Sequence, residues 1–128
     1  MAERRMLSKK IVCADKFTSM SAHAMLLYTF MVMQADDDGF VDNTREICRT
    51  VHANKKHILE LLEREYILLF PSGIAVIRHW QMCNQIAPSK KKPTIYTKEL
   101  SLLVTKEQVY HPNKEFLAIL HQDEPKRR

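Results

Sequence analysis

Lys55, Lys56 and His57 follow one another at the start of a helical stretch, with Asn54 before them as a capping residue. Three donors in the first turn of a helix are placed to meet base edges or phosphate oxygens when that helix enters a major groove. Arg45 and Arg49, four residues apart in the preceding helical stretch, join them as candidate DNA contacts. A second basic group comes later. Arg78, Lys90, Lys91 and Lys92 have no acid between them, and Trp80, Asn84 and Gln85 add an aromatic face and amide donors. Cations mixed with an aromatic and amides suit a nucleic-acid backbone. Lys9 and Lys10, with Arg4 and Arg5, form a basic N-terminal segment able to track phosphates.

Each group also has a plainer reading, and both stay open at this level. Lys56 with Glu60, and Glu60 with Arg64, are spaced i,i+4 as opposite-charge pairs that solubilise a helix face. Glu60 and Glu63 on that face repel phosphates. Trp80 has the bulk of a core anchor, in which case the three lysines are a solvated linker.

Other constellations fail on spacing. Asp36-Asp37-Asp38-Gly39 suggests a calcium loop, but with Gly39 at the sixth position the first ligand is Gln34 and the twelfth Arg45. A tight turn is expected instead. Cys48 and His52, four apart, have no second pair to complete a tetrahedral zinc site. Cys48 reads as a small core residue, and His79 as a packed or hydrogen-bonded ring. No nucleophile, base and orienting group come together, so neither an enzyme nor a cofactor or metal is expected.

The positioning elements follow from pattern. Ser21 caps a helix to Gln34 that is apolar on nearly every side, so it is either the central core helix or in part a partner surface. Phe40-Val41 reads as a short strand. Asn43, with Glu46 three residues on, opens a helix as a capping-box variant and ends it near His52-Ala53. Asn54 opens a second, to about Glu65, with Ile58, Leu59, Leu61 and Leu62 on one face. Two apolar runs, 66–70 and 74–77, flank Pro71-Ser72-Gly73 as a hairpin. Residues 97–110 are mixed and read as helical, and Asn113 to Gln122 is a short amphipathic helix. The expected fold class is α+β, a mostly helical winged helix: helix–turn–helix with a small antiparallel hairpin. Residues 1–87 form that domain. Residues 88–128 are a basic connector and a C-terminal helical extension.

The chain has 128 residues, 45% hydrophobic and 27% charged, an ordinary globular composition. Its net charge is +5, unevenly spread. Residues 1–35 carry five Lys/Arg against two acids, 36–65 five against eight, 66–98 five against none, and 99–128 five against five. A positive field favours polyanions, yet it flanks the helix–turn–helix and is not centred on it. Three scattered cysteines fit a reducing compartment. With neither a membrane span nor a signal peptide in view, a soluble intracellular protein is expected.

Four segments carry a family resemblance: Arg5 to Val12, Ala35 to Val41, Ile77-Arg78-His79-Trp80, and Lys92-Pro93-Thr94-Ile95-Tyr96. Together they resemble the N-terminal domain of phage replisome organisers, the DnaD-like initiators of phage and prophage replication. The resemblance covers about residues 4–100. It implies a winged-helix domain that binds double-stranded origin DNA and forms homo-oligomers. It also implies a following domain that recruits a helicase loader; a chain ending at Arg128 is expected to be either a fragment of a longer protein or a short protein lacking that activity. Where the family has Asn-Tyr-Ile after His-Trp, this chain has Asn84-Gln85-Ile86. The function expected is origin DNA binding in replication initiation. The alternatives are a winged-helix transcriptional regulator and a protein-docking winged helix without DNA affinity.

Overall fold

The computed structural model describes residues 5–84 and 90–123. Gln85, the 87/88 boundary, Pro88-Ser89 and the tail from Glu124 lie outside them, as does Arg4. The architecture is α+β, mixing helices with two small antiparallel sheets. Two single-turn helices, α1 (Lys9–Val12) and α2 (Asp15–Thr18), lead into α3 (Ala22–Gln34). Ser21 caps α3 as its residue type predicts, its Oγ accepting from the Ala24 N–H at 3.2 Å. Ala24, Leu27, Tyr28, Met31 and Val32 are buried, so α3 is the core helix, while Leu26 and Met33 stay exposed on its outer flank.

The chain then turns through the acid loop into β1 (Phe40–Val41), α4 (Thr44–Thr50) and α5 (Lys55–Glu63), and closes with β2 (Ile67–Leu69) and β3 (Ala75–Ile77). The sheet order is β1-β3-β2, antiparallel throughout, with Phe40 opposite Val76 and Leu68 also opposite Val76. The hairpin turn is Pro71-Ser72-Gly73, closed by the Phe70 N–H on Ile74 O at 2.9 Å. Alternation is weak in these strands because every residue of β1 and β3 is buried. Short helix α6 (Trp80–Cys83) follows.

Two capping expectations resolve differently. At α5 Asn54 forms the capping box, its Oδ1 accepting from the Lys56 N–H while its own N–H donates to His57 Nδ1, both at 3.0 Å. At α4 the capping-box expectation is corrected. Asn43 makes no side-chain cap, because its amide turns back to Gln34 Oε1 at 2.6 Å.

The helical reading of residues 97–110 is also corrected. α7 (Thr97–Leu100) is one turn, and β4 (Leu103–Lys106) and β5 (Val109–Pro112) form a second hairpin. Its two-residue turn holds Glu107 and Gln108 at φ 53° and 66°, where asparagine and glycine are the usual occupants. α8 (Lys114–Asp123) ends the described chain, with Asn113 Oδ1 accepting from the Phe116 N–H. Hairpin and helix share the main core. Phe116 stacks on Phe70 with ring centroids 4.8 Å apart, and Tyr110 is buried beside Phe40.

Both glycines sit at φ +92°, but in different surroundings. A Cβ on Gly39 would lie 2.6 Å from Trp80 Cγ, whereas one on Gly73 meets nothing within 4 Å. Gly39→Ala is therefore expected to lose at least about 2 kcal/mol of stability, combining backbone strain with a core clash. Gly73→Ala isolates the backbone part, on the order of 1 kcal/mol. Urea unfolding of the two variants checks both, and equal losses would refute the clash.

Candidate nucleic-acid interface

The acid loop decides which cations remain available. Asp37 is buried against Arg5, whose Nη2 donates to Asp37 Oδ1 at 2.9 Å and to Ala35 O at 2.8 Å. The Arg5 guanidinium also lies 5.2 Å from the centre of the Trp80 ring, a cation–π contact. Trp80, 1% exposed, donates its indole N–H to Asp37 O at 2.9 Å. Asp36 accepts from the Asp38 and Phe40 N–H groups and from the Thr94 hydroxyl. Asp38 accepts from the Thr94 N–H and pairs with Lys91. The Lys92 N–H donates to Asp37 Oδ2, and the Tyr110 hydroxyl to Asp38 O. The three carboxylates thus bind protein donors and fasten the connector to the first sheet, while the Asp38 carbonyl fastens the second hairpin. Tyr96 extends the same strap. Its hydroxyl donates to Asp42 at 2.5 Å, and that bond with partial burial pushes its pKa up to about 12.

Several of the expected DNA contacts are engaged in protein bonds in this arrangement. Arg78 is 8% exposed. Its Nε donates to Tyr110 O at 3.1 Å and its Nη atoms reach Glu65 and His111 at 3.4 and 3.3 Å, so it pins the second hairpin. His57 is 6% exposed and serves the α5 cap, with its ring stacked on His23. Asn84 clamps Met6 from both sides through its amide. Lys91 is half-committed to Asp38. Arg5 is buried, so the basic N-terminal segment is anchored at that point and not an open arm.

The remaining cations are exposed. Lys9 and Lys10 lie on α1, Arg45 and Arg49 on α4, Lys55 and Lys56 in the first turn of α5, and Lys90 and Lys92 on the connector. Arg45 and Arg49, four apart on a helix, share a face.

The expected surface pairs along α5 are replaced by tertiary bonds. Glu60 accepts from the Ser21 N–H and hydroxyl, both at 2.8 Å, which holds its carboxyl below the usual range. Arg64 donates to Lys16 O and Ser19 Oγ. Glu60 is thereby turned toward the start of α3, which leaves Glu63 as the exposed acid of α5. This bond pattern has no signature in helical spacing. A serine cap on one helix and a glutamate on another meet only after the fold brings them together.

His52 lies beyond the end of α4 at φ 59°, which takes it out of helical register with Cys48. Among the described residues no group of three or more His, Cys, Asp or Glu is arranged to hold a metal, and no helix is long and apolar enough to cross a membrane. Comparison with family models, curated proteins and solved structures gives no match.

The α5 cap depends on pH. His57 Nδ1 must be unprotonated to accept from Asn54. Burial, followed by neighbouring His23 and Lys56, lowers its pKa below the ordinary 6.5. A lowered folded pKa means that the contribution is complete above the unfolded value and fades as pH falls through the folded one. His79, lowered by burial and by Arg78, adds in the same direction. His57→Gln, which keeps an acceptor at that position, should lessen the loss of stability between about pH 7 and 5. Chemical denaturation at each pH checks it, and an unchanged pH profile would refute the role of His57.

Proposed function

We propose that this chain is a winged-helix domain that binds double-stranded DNA. The supporting observation is the conjunction of connectivity and surface charge. The run α3-β1-α4-α5-β2-β3 with sheet order β1-β3-β2 follows the winged-helix plan, and its second helix–turn–helix element, α5, opens with exposed Lys55 and Lys56. In that plan α5 is the element offered to the major groove, its N-terminal residues nearest the bases. Arg45 and Arg49 on α4, with Lys90 and Lys92 on the connector, supply backbone contacts. The hairpin turn Pro71-Ser72-Gly73 carries no cation, which shifts the contact toward the helices. His57 is left out because it serves the α5 cap, and Arg78 because it is held by Tyr110 O, away from Lys55 and Lys56.

The four segments that resemble phage replisome organisers converge on the acid loop: Arg5 on Asp37, Trp80 on Asp37, and Thr94 on Asp36 and Asp38. That convergence gives the motif set a physical reason to occur together. It supports the reading that the DNA bound is a replication origin of a phage or prophage, in a bacterial cytoplasm. Self-association and a helicase-loader partner belong to the same proposal. A protein-docking winged helix is the second reading, favoured by Leu59, 41% exposed beside the α5 lysines.

Titration onto labelled duplex DNA by fluorescence anisotropy tests the proposal. Affinity should fall with salt, with a log–log slope of about −0.9 per phosphate neutralised. Lys55→Glu with Lys56→Glu should weaken binding and reduce the slope by roughly two contacts' worth. Salt-independent binding, or none at low salt, would favour the docking reading.

A further inference from the structure

The opposite end of α5 holds a second feature that the DNA reading does not use. A groove of about 430 Å³ opens between α2, the end of β3 and the second hairpin. Lys16, Arg78, His79, Lys106 and His111 line it, with Glu65 at its edge. It is separated from Lys55 and Lys56 by the length of α5, about 13 Å for nine residues at 1.5 Å each.

The donors come from separate parts of the chain. Lys16 lies on α2, Arg78 just past β3, His79 at the start of α6, Lys106 on β4 and His111 on β5. Arg78 holds its planar guanidinium fixed through the Nε bond to Tyr110 O. Its two Nη groups make only long contacts, at 3.4 Å to Glu65 and 3.3 Å to His111. The Glu65 side chain is 67% exposed and therefore free to swing away. His79 forms part of the wall, and its buried Nδ1 has no hydrogen-bond partner among the described residues. Burial first, and then the neighbouring charges of Arg78 and Lys16, lower the His79 pKa. Glu107 is the second acid at the rim and is exposed.

We propose that this groove binds a phosphate group, either a terminal monoester or a backbone diester. Arg78 acts as the planar donor on its floor, and Lys16 and Lys106 act as point charges at its rim. Guanidinium suits this role because its two outer N–H groups match two phosphate oxygens, while lysine adds charge without fixed geometry. Glu65 is the internal competitor. It occupies Nη1 weakly when the groove is empty, and phosphate displaces it.

The test is an NMR titration of the full chain with inorganic phosphate at fixed pH and ionic strength, following the His79 and His111 rings. Chloride at matched ionic strength is the control. The rings should move and saturate with phosphate only. Lys16→Glu with Lys106→Glu should weaken saturation about tenfold, and Glu65→Gln should tighten it; all three side chains changed are exposed at the rim, and amide dispersion reports that the variants stay folded. A 5′-phosphorylated oligonucleotide acting where its 5′-hydroxyl twin does not identifies a monoester, and equal action identifies a diester. Ring shifts no larger than with chloride, or undiminished in the Lys16/Lys106 variant, would overturn the proposal. The titration uses phosphate without duplex DNA and does not involve Lys55 or Lys56, so its failure and that of the DNA reading are separable.

Discussion

Arg5 and Asp37 are buried together against the Trp80 ring, and that pair ties the N-terminal segment to the end of α3, to α6 and to the connector. A guanidinium and a carboxylate taken out of water lose several kcal/mol of hydration each, recovered only with good geometry and satisfied remaining sites. Here Ala35 O accepts a second bond from the guanidinium and the Lys92 N–H donates to the other carboxylate oxygen, one contact from the core helix side and one from the connector. Removing one partner of such a buried pair costs about 3–5 kcal/mol, because the other is left uncompensated. The acid loop is therefore a joint. It holds the N-terminal segment, α6, the connector and the second hairpin in one register relative to the first sheet. Gly39 is required at this joint because the Trp80 ring occupies the space a side chain would need.

That joint sets the electrostatics of the surface. A simple count of basic residues overstates what is available to a polyanion. Arg5 and Arg64 are used in tertiary bonds, Arg78 is held by Tyr110 O on the floor of a separate groove, and Lys91 is partly neutralised. Among the acids, Asp36, Asp37 and Asp38 are directed into the protein, and Glu60 is bound by Ser21. The −3 balance of residues 36–65 thus overstates the negative charge facing outward. Both corrections come from one cause: charges of opposite sign were drawn inward to connect segments far apart in sequence, which leaves Lys55, Lys56, Arg45 and Arg49 as exposed cations of α4 and α5.

Much of the fold was legible in local chemistry. Ser21 and Asn54 announced their helices because a side-chain oxygen before a periodic apolar run has one favourable use. Phe40-Val41 and the Pro71-Ser72-Gly73 hairpin were legible from β-branched runs around turn residues. The second hairpin was not, because Glu107 and Gln108 occupy positive φ without the residue types that signal it. Its stability comes instead from Tyr110, whose N–H donates to Arg78 O, whose carbonyl accepts from Arg78 Nε, and whose hydroxyl donates to Asp38 O. The candidate interface was half legible. Exposure of Lys55 and Lys56 follows from helix position, but nothing local distinguishes Arg78 from an exposed cation. Its burial is decided by Tyr110, Glu65 and His111, residues up to 33 positions away.

Backbone amide shifts of the labelled chain, recorded during titration with duplex DNA, bear on the central claim most directly. The account predicts that the largest changes cluster on the first turns of α4 and α5, around Arg45, Lys55 and Lys56, with smaller ones at Lys90 and Lys92. Amides of the acid loop, Asp36 to Gly39, should stay fixed, since that joint is saturated by the protein itself. Changes confined to the exposed flank of α3 around Leu26 and Met33, or absent at low salt, would contradict it.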